Sequence, residues 1–172
     1  RSLERSERFF WAFTDDYLEL VKHRAYGGLG EGPAASARRA LFVALSTLLR
    51  LFAPHLPFVT EEVWSWWQEG SIHRADWPES APLREEALAA GGDLTVYPIA
   101  AEVLGFIRRA KSEAKVSMKA DVSRVIVTDS PKRLAALLAV ADDVKGAGRC
   151  VEITATEGPE FEVAVTLAPI EA

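Results

Sequence analysis

Arg108, Lys111 and Lys115 follow one another at spacings of three and four, the repeat that stacks side chains along one face of a helix. Cations rising in such a row suit the phosphates of a nucleic-acid strand, because basic side chains set affinity there by releasing counterions. A solvated helix face is the plainer reading of the same pattern. Lys22 and Arg24, either side of His23, close an earlier apolar repeat, where cations also suit the negative end of the helix dipole. Arg38 and Arg39 fall near the start of a helix, against its dipole, which favours an anionic partner outside the chain. These seven side chains are the candidate contacts to a polyanion. Arg50, just before Pro54, is placed to cap carbonyls.

No catalytic centre is assigned. Asp15–Asp16, Glu61–Glu62 and Asp142–Asp143 are adjacent in sequence, so on a helix each pair diverges by about 100°. That is poor geometry for an acid/base pair. His23, His55 and His73 lie far apart, and Cys150 is the one cysteine, so no metal-ligand spacing exists and no disulfide can form within the chain. A reducing, cytoplasmic setting is expected. The net charge of −5 argues against a general nucleic-acid glue. Residues 1–50 and 100–124 are mildly basic, however, while 51–99 and 125–172 are acidic, which is compatible with a few placed phosphate contacts. No long apolar run free of charge suggests a membrane span.

The elements that must position these residues are mainly helical. Phe10, Phe13, Tyr17, Leu20 and Arg24 share one face of a helix from about Leu3 to Tyr26, stopped by Gly27-Gly28. Pro33 fits the first turn of a second helix, running to about Phe52. A third, from about Phe58 to Gln68, carries Thr60, Glu61 and Glu62 in its first turn, with Trp64, Trp66 and Trp67 as packing aromatics. Residues 79–93 read as an acidic, irregular linker. Pro98 opens a helix to about Lys115 with an apolar stripe of Ile99, Val103, Ile107, Ala110 and Ala114. Beyond it come a strand over Val122–Thr128, a helix from Pro131 to about Asp143, and a hairpin of Cys150–Thr156 with Phe161–Leu167 around Gly158-Pro159. The stripe is expected to pack on the hairpin and turn Arg108, Lys111 and Lys115 outward together. The fold class is thus mainly α: an antiparallel helical bundle over 1–90, followed by a small α+β unit over 91–172. The opening Arg1-Ser2-Leu3-Glu4-Arg5 reads like the middle of a helix, so the chain is expected to be cut from a longer one.

Pro57-Phe58-Val59-Thr60-Glu61-Glu62-Val63-Trp64, placed after a leucine-rich helix that ends at a proline, resembles the signature of the anticodon-binding helical domain of class I aminoacyl-tRNA synthetases for branched aliphatic amino acids. Ser71-Ile72-His73-Arg74-Ala75-Asp76-Trp77-Pro78 resembles that family's SIH-x-x-x-WP loop. Residues 7–26 and 100–118 also resemble helices the family places before the motif helix and just after the bundle. The resemblance implies that Pro57, Phe58, Thr60, Glu61, Glu62, Trp64 and Trp77 act structurally, starting a helix, locking it under the bundle and pinning the loop. It implies tRNA binding for this chain. For a full-length enzyme it implies ATP-dependent, magnesium-assisted charging of tRNA in the cytoplasm, with the rest of the synthetase chain as a further partner. Valine enzymes are the nearest in kind and isoleucine enzymes the alternative. A reading of another class is a helical protein-interaction module without RNA. The family's two nucleotide-binding signatures are not matched: His55-Leu56-Pro57-Phe58 lacks the glycine that lets backbone approach phosphate, and Lys115-Val116-Ser117-Met118-Lys119 has the wrong order. No cofactor is therefore expected on this chain itself.

Overall fold

The computed structural model describes residues 1–169. Helix α1 (Ser2–Trp11) runs through a wider π-helical stretch, Ala12–Tyr17, into α2 (Leu18–Ala25). The single expected helix is therefore one rod with an altered middle. A π turn shifts the hydrogen-bond ladder by one residue, and this stretch is where a later helix docks. The Tyr97 hydroxyl donates to the Ala12 carbonyl at 3.0 Å. Arg108 donates to the Asp15 carbonyl and to the Asp16 carboxylate, the latter at 2.7 Å.

Gly30, at a φ of 93° that favours glycine, turns the chain into α3 (Glu31–Phe52), with Pro33 in its first turn. Helix α4 (Pro57–Ser65) starts at its proline. Glu61 and Glu62 consequently lie beyond the first turn in which they were expected, and each accepts specific hydrogen bonds. The expected linker over 79–93 instead contains α5 (Ser80–Ala89), none of whose residues is buried. Pro82 sits within its first turn, where proline is tolerated, and Leu83 to Ala90 are mostly good helix formers.

Helix α6 (Val96–Glu113) leads to strand β1 (Val122–Asp129). The helix expected from Pro131 to Asp143 is two helices, α7 (Pro131–Leu138) and α8 (Ala141–Gly148). Their break lets Leu134 and Leu137 from one and Val144 from the other enter the same core. Strands β2 (Cys150–Glu157) and β3 (Glu162–Leu167) do not form the expected hairpin. Both pair with β1, giving the order β2–β1–β3, with β1–β2 parallel and β1–β3 antiparallel. The connection between them passes over the end of β1, where the Gly158 amide donates to the Asp129 carbonyl at 3.1 Å. A side chain at Gly158 would run into the Thr128 methyl.

One core lies between the sheet and α6, α7 and α8, with Ile99, Val103, Ile107, Val125, Val127 and Leu137 at its centre. Leu20 of α2 belongs to this core, and Arg24 of α2 pairs with Asp143 of α8 at 2.9 Å. The α+β unit is thus seated on the end of α2. A second, smaller core gathers Ala53, Trp64 and Ile72, with Leu49, Trp67 and Ala75 around it.

Candidate nucleic-acid interface

The C-terminal end of α2, the last turns of α6, the loop after α6 and the turn from α8 to β2 surround a cleft of about 630 Å³. Lys22, His23, Arg108, Lys119 and Arg149 line it, with Lys111 as part of its wall. Several of these charges are partly answered from within the protein. Lys22 pairs with Glu19 at 3.0 Å, Arg108 with Asp16 at 2.7 Å and Arg149 with Asp121 at 2.8 Å. Among the described residues no carboxylate pairs with Lys119. His23 packs against Gly28 and Gly146; a methyl group at Gly28 would collide with its imidazole. The cleft is therefore positive, solvent-accessible and built from segments far apart in sequence.

The outward row Arg108–Lys111–Lys115 does not form, for two reasons. Lys111 turns inward: it is 2% exposed, and its Nζ donates to the Gly148 carbonyl at 2.8 Å and the Met118 carbonyl at 3.1 Å. The last carbonyls of α8 lack intrahelical donors and carry the negative end of its dipole, so an ammonium suits them. Burial holds the Lys111 pKa below its ordinary value, with Arg149 acting in the same direction and Asp121 against it. The second reason is that α6 ends at Glu113. Lys115 takes the left-handed conformation, at a φ of 55°, while the Val116 amide donates to the Lys111 carbonyl and the Lys115 amide to the Ser112 carbonyl, both at 3.0 Å. This is a Schellman closure with lysine where glycine is usual. Lys115 is thereby lifted off the helix face.

Spacing did carry a signal for Lys111. Val103, Ile107 and Lys111 are four apart, and all three are buried. Lys111 continues the apolar line as well as the cationic one.

The other candidates disperse. Arg24 is committed to Asp143. Arg38 donates to the Ala25 carbonyl at 3.0 Å and to Glu31 at 3.2 Å, closing the turn between α2 and α3. Arg39 lies 3.8 Å from Glu86 of α5 and over the Phe42 ring. Neither arginine lines the cleft. Arg149, by contrast, drew no notice in the sequence. It follows Gly148 directly at a φ of 53°, a cation at a helix C-terminus.

The two motif segments form one structural unit. Trp64 and Ile72 share the smaller core. Thr60, buried, donates its hydroxyl to the Leu56 carbonyl at 2.8 Å. The Glu61 carboxylate accepts from the Ile72 amide at 2.9 Å and the Ser71 hydroxyl at 3.0 Å, fastening the loop to α4. Arg50 donates to the Ser46 carbonyl on its own helix and to the Asp76 carbonyl on that loop, both at 3.1 Å. Glu62 accepts from the Trp66 indole at 3.2 Å. Two expectations are corrected here. Phe58, second residue of α4, points away from the bundle and is 90% exposed, and Trp77 is 60% exposed. Neither locks its segment as expected; Glu61 and Arg50 hold the loop instead.

The helical unit that carries these two motif segments falls in a family of tRNA-ligase domains. Residues 2–127 match the family described as the anticodon-binding domain of tRNA ligase, and the chain belongs to that family. It is 53% identical to the valine–tRNA ligase of Thermobifida fusca (strain YX) over 99% of its own length and 19% of that protein's. It is 51% identical to the valine–tRNA ligase of Salinispora tropica (strain ATCC BAA-916 / DSM 44818 / JCM 13857 / NBRC 105044 / CNB-440) over 91% of its length and 20% of the relative's. For the valine–tRNA ligase of Leifsonia xyli subsp. xyli (strain CTCB07) the figures are 46%, 99% and 20%. The chain thus spans about a fifth of the length of these relatives.

Proposed function

We propose that the chain is the tRNA-binding part of a valine–tRNA ligase, serving ATP-dependent charging of valine-specific tRNA in the cytoplasm. The helical unit over 1–90 and the α+β unit over 91–172 together meet the anticodon region, and the rest of the synthetase supplies the chemistry. ATP and magnesium belong to that other part.

The observation that carries this reading, in a chain of an anticodon-binding family, is the convergence of Lys22, Arg108, Lys119 and Arg149 on one cleft from separate elements. Phosphates of a single RNA strand are the ligands such a cleft recognises, with unstacked bases read beyond it. Arg38, Arg39 and Lys115 are surface candidates outside the cleft. The test is binding of tRNA across a salt series by the chain and by a Lys22→Glu, Lys119→Glu variant. Each lost phosphate contact should lower the slope of log affinity against log salt by about 0.7–0.9. Unchanged affinity and slope in the variant would remove the cleft from the interface.

A further inference from the structure

We propose that Lys111 is a positioning residue for RNA binding: its buried ammonium clamps the loop after α6 to the end of α8, fixing Lys119 and Arg149 on the rim of the cleft. This rests on the reading of the cleft as an RNA-backbone site.

Two carbonyls from segments far apart in sequence converge on one Nζ. Met118 is seven residues on from Lys111, in the loop, and Gly148 is the last residue of α8. Each carbonyl immediately precedes a rim cation: Met118 precedes Lys119, and Gly148 precedes Arg149. Fixing a carbonyl fixes the peptide plane that opens the next residue, so one ammonium sets where both cations begin. The close approach needed is provided by Gly148, where a Cβ would stand 2.8 Å from the Ile107 Cδ1 inside the core. From Ser117 to Ala120 the loop has little else to hold it: the Ala120 amide donates to the Ser117 carbonyl at 2.9 Å and the Lys119 amide to the Ser117 hydroxyl at 3.1 Å, both local bonds. Its far end is tied separately, where Asp121 accepts from Arg149 at 2.8 Å and from the Ala168 amide at 2.9 Å. Lys119 and Met118 are themselves exposed. Without the clamp, rim cations would have to be ordered at the moment of binding, and that ordering opposes affinity.

Lys111 is itself too enclosed to meet a phosphate, so its role is distinguishable from direct contact. The experiment compares Lys111→Met, Lys119→Ala with Arg149→Ala, and the triple variant, each checked for native circular dichroism, in tRNA binding across a salt series. The clamp predicts that Lys119→Ala with Arg149→Ala lowers the slope by about 1.4–1.8, the sum of two phosphate contacts. It predicts that Lys111→Met weakens binding at every salt concentration while leaving the slope near the parent's, because the rim cations still reach phosphate but must first be ordered. It predicts further that this loss disappears once Lys119 and Arg149 are gone, so that the triple variant binds no more weakly than the double. A purely structural lysine would reduce the melting temperature and weaken binding equally with and without the rim cations. A direct contact would lower the slope by a single step and add to the double variant. Either result overturns the proposal. Should Lys111→Met fail to fold, Lys111→Gln, which keeps a donor at that place, replaces it in the same comparison; a native fold with the parent's affinity, or a loss equal with and without the rim cations, overturns the clamp. Absence of salt-dependent tRNA binding by the unmodified chain would overturn the RNA-site reading itself, whereas intact binding with an inert Lys111→Met overturns only the clamp.

Discussion

Trp64→Ala and Phe58→Ala should behave oppositely, although both residues belong to one eight-residue motif. Trp64 is 7% exposed and packs with Ala53 and Ile72, its ring 5.3 Å from that of Trp67. Truncating a buried tryptophan costs about 3–5 kcal/mol, from lost transfer energy and the cavity left behind. For a chain of this size each kcal/mol lowers the melting temperature by about 2–4 °C, so the expected loss is about 6–20 °C. Phe58 gives up almost no buried area, and surface changes of that kind stay within about 0.5 kcal/mol. Its variant should melt within about 2 °C of the parent, on the same per-kcal scale. Trp64→Phe should fall between, since the Trp64 indole N–H has no partner among the described residues and its removal relieves an unsatisfied donor. Thermal denaturation followed by circular dichroism gives all three values. Equal losses for Phe58→Ala and Trp64→Ala would refute the assignment of the two residues to surface and core.

Glu61→Ala removes the acceptor of both bonds that hold the Ser71–Ile72 turn, and should lower stability by about 1.5–3 kcal/mol, read as a shift in urea midpoint. An unchanged midpoint would show that Arg50 alone holds the loop. Burial pushes the Asp143 carboxyl above its ordinary 3.8, with Arg24 pulling it down, Asp142 adding to the rise and His23 opposing it. The folded protein therefore holds this proton more tightly than the unfolded chain does. That contribution favours folding below pH 3.8 and is lost as pH rises through the folded value. The stability of the parent relative to Asp143→Asn should accordingly decline as pH rises from below 3.8; a difference independent of pH contradicts the assignment.

Helix periodicity made the bundle legible, because apolar spacing reports which face is buried whatever the packing partner. It could not report the π stretch at Ala12–Tyr17, since one extra residue in a turn leaves an aromatic-rich face looking continuous. The hairpin expectation failed for a related reason. Alternation identifies a strand and its buried face, but β2 and β3 alternate whether they pair with each other or flank β1. In the site, Arg108 was found because its cationic spacing carries it to the half-buried edge of the helix beside Asp16, whereas Lys111 satisfied an apolar and a cationic repeat at once, and only burial decides between them. Lys115 left the row because α6 closes on a left-handed lysine, with no glycine to announce the end. Arg149 and His23 owe their place to contacts between distant segments, Gly148 against Ile107 and Gly146 against His23, which no local pattern encodes. The motif was easier to read as a unit than residue by residue. Its order and spacing pointed to one structure, but which aromatic faces inward depends on where α4 begins.

The most direct test of tRNA recognition by this chain is a hydroxyl-radical footprint of valine-specific tRNA in its presence. The cleft and the family together predict protection of backbone positions in the anticodon arm, weakened in the Lys22→Glu, Lys119→Glu variant. Protection confined to the acceptor arm, or none at concentrations where binding is observed, would contradict it.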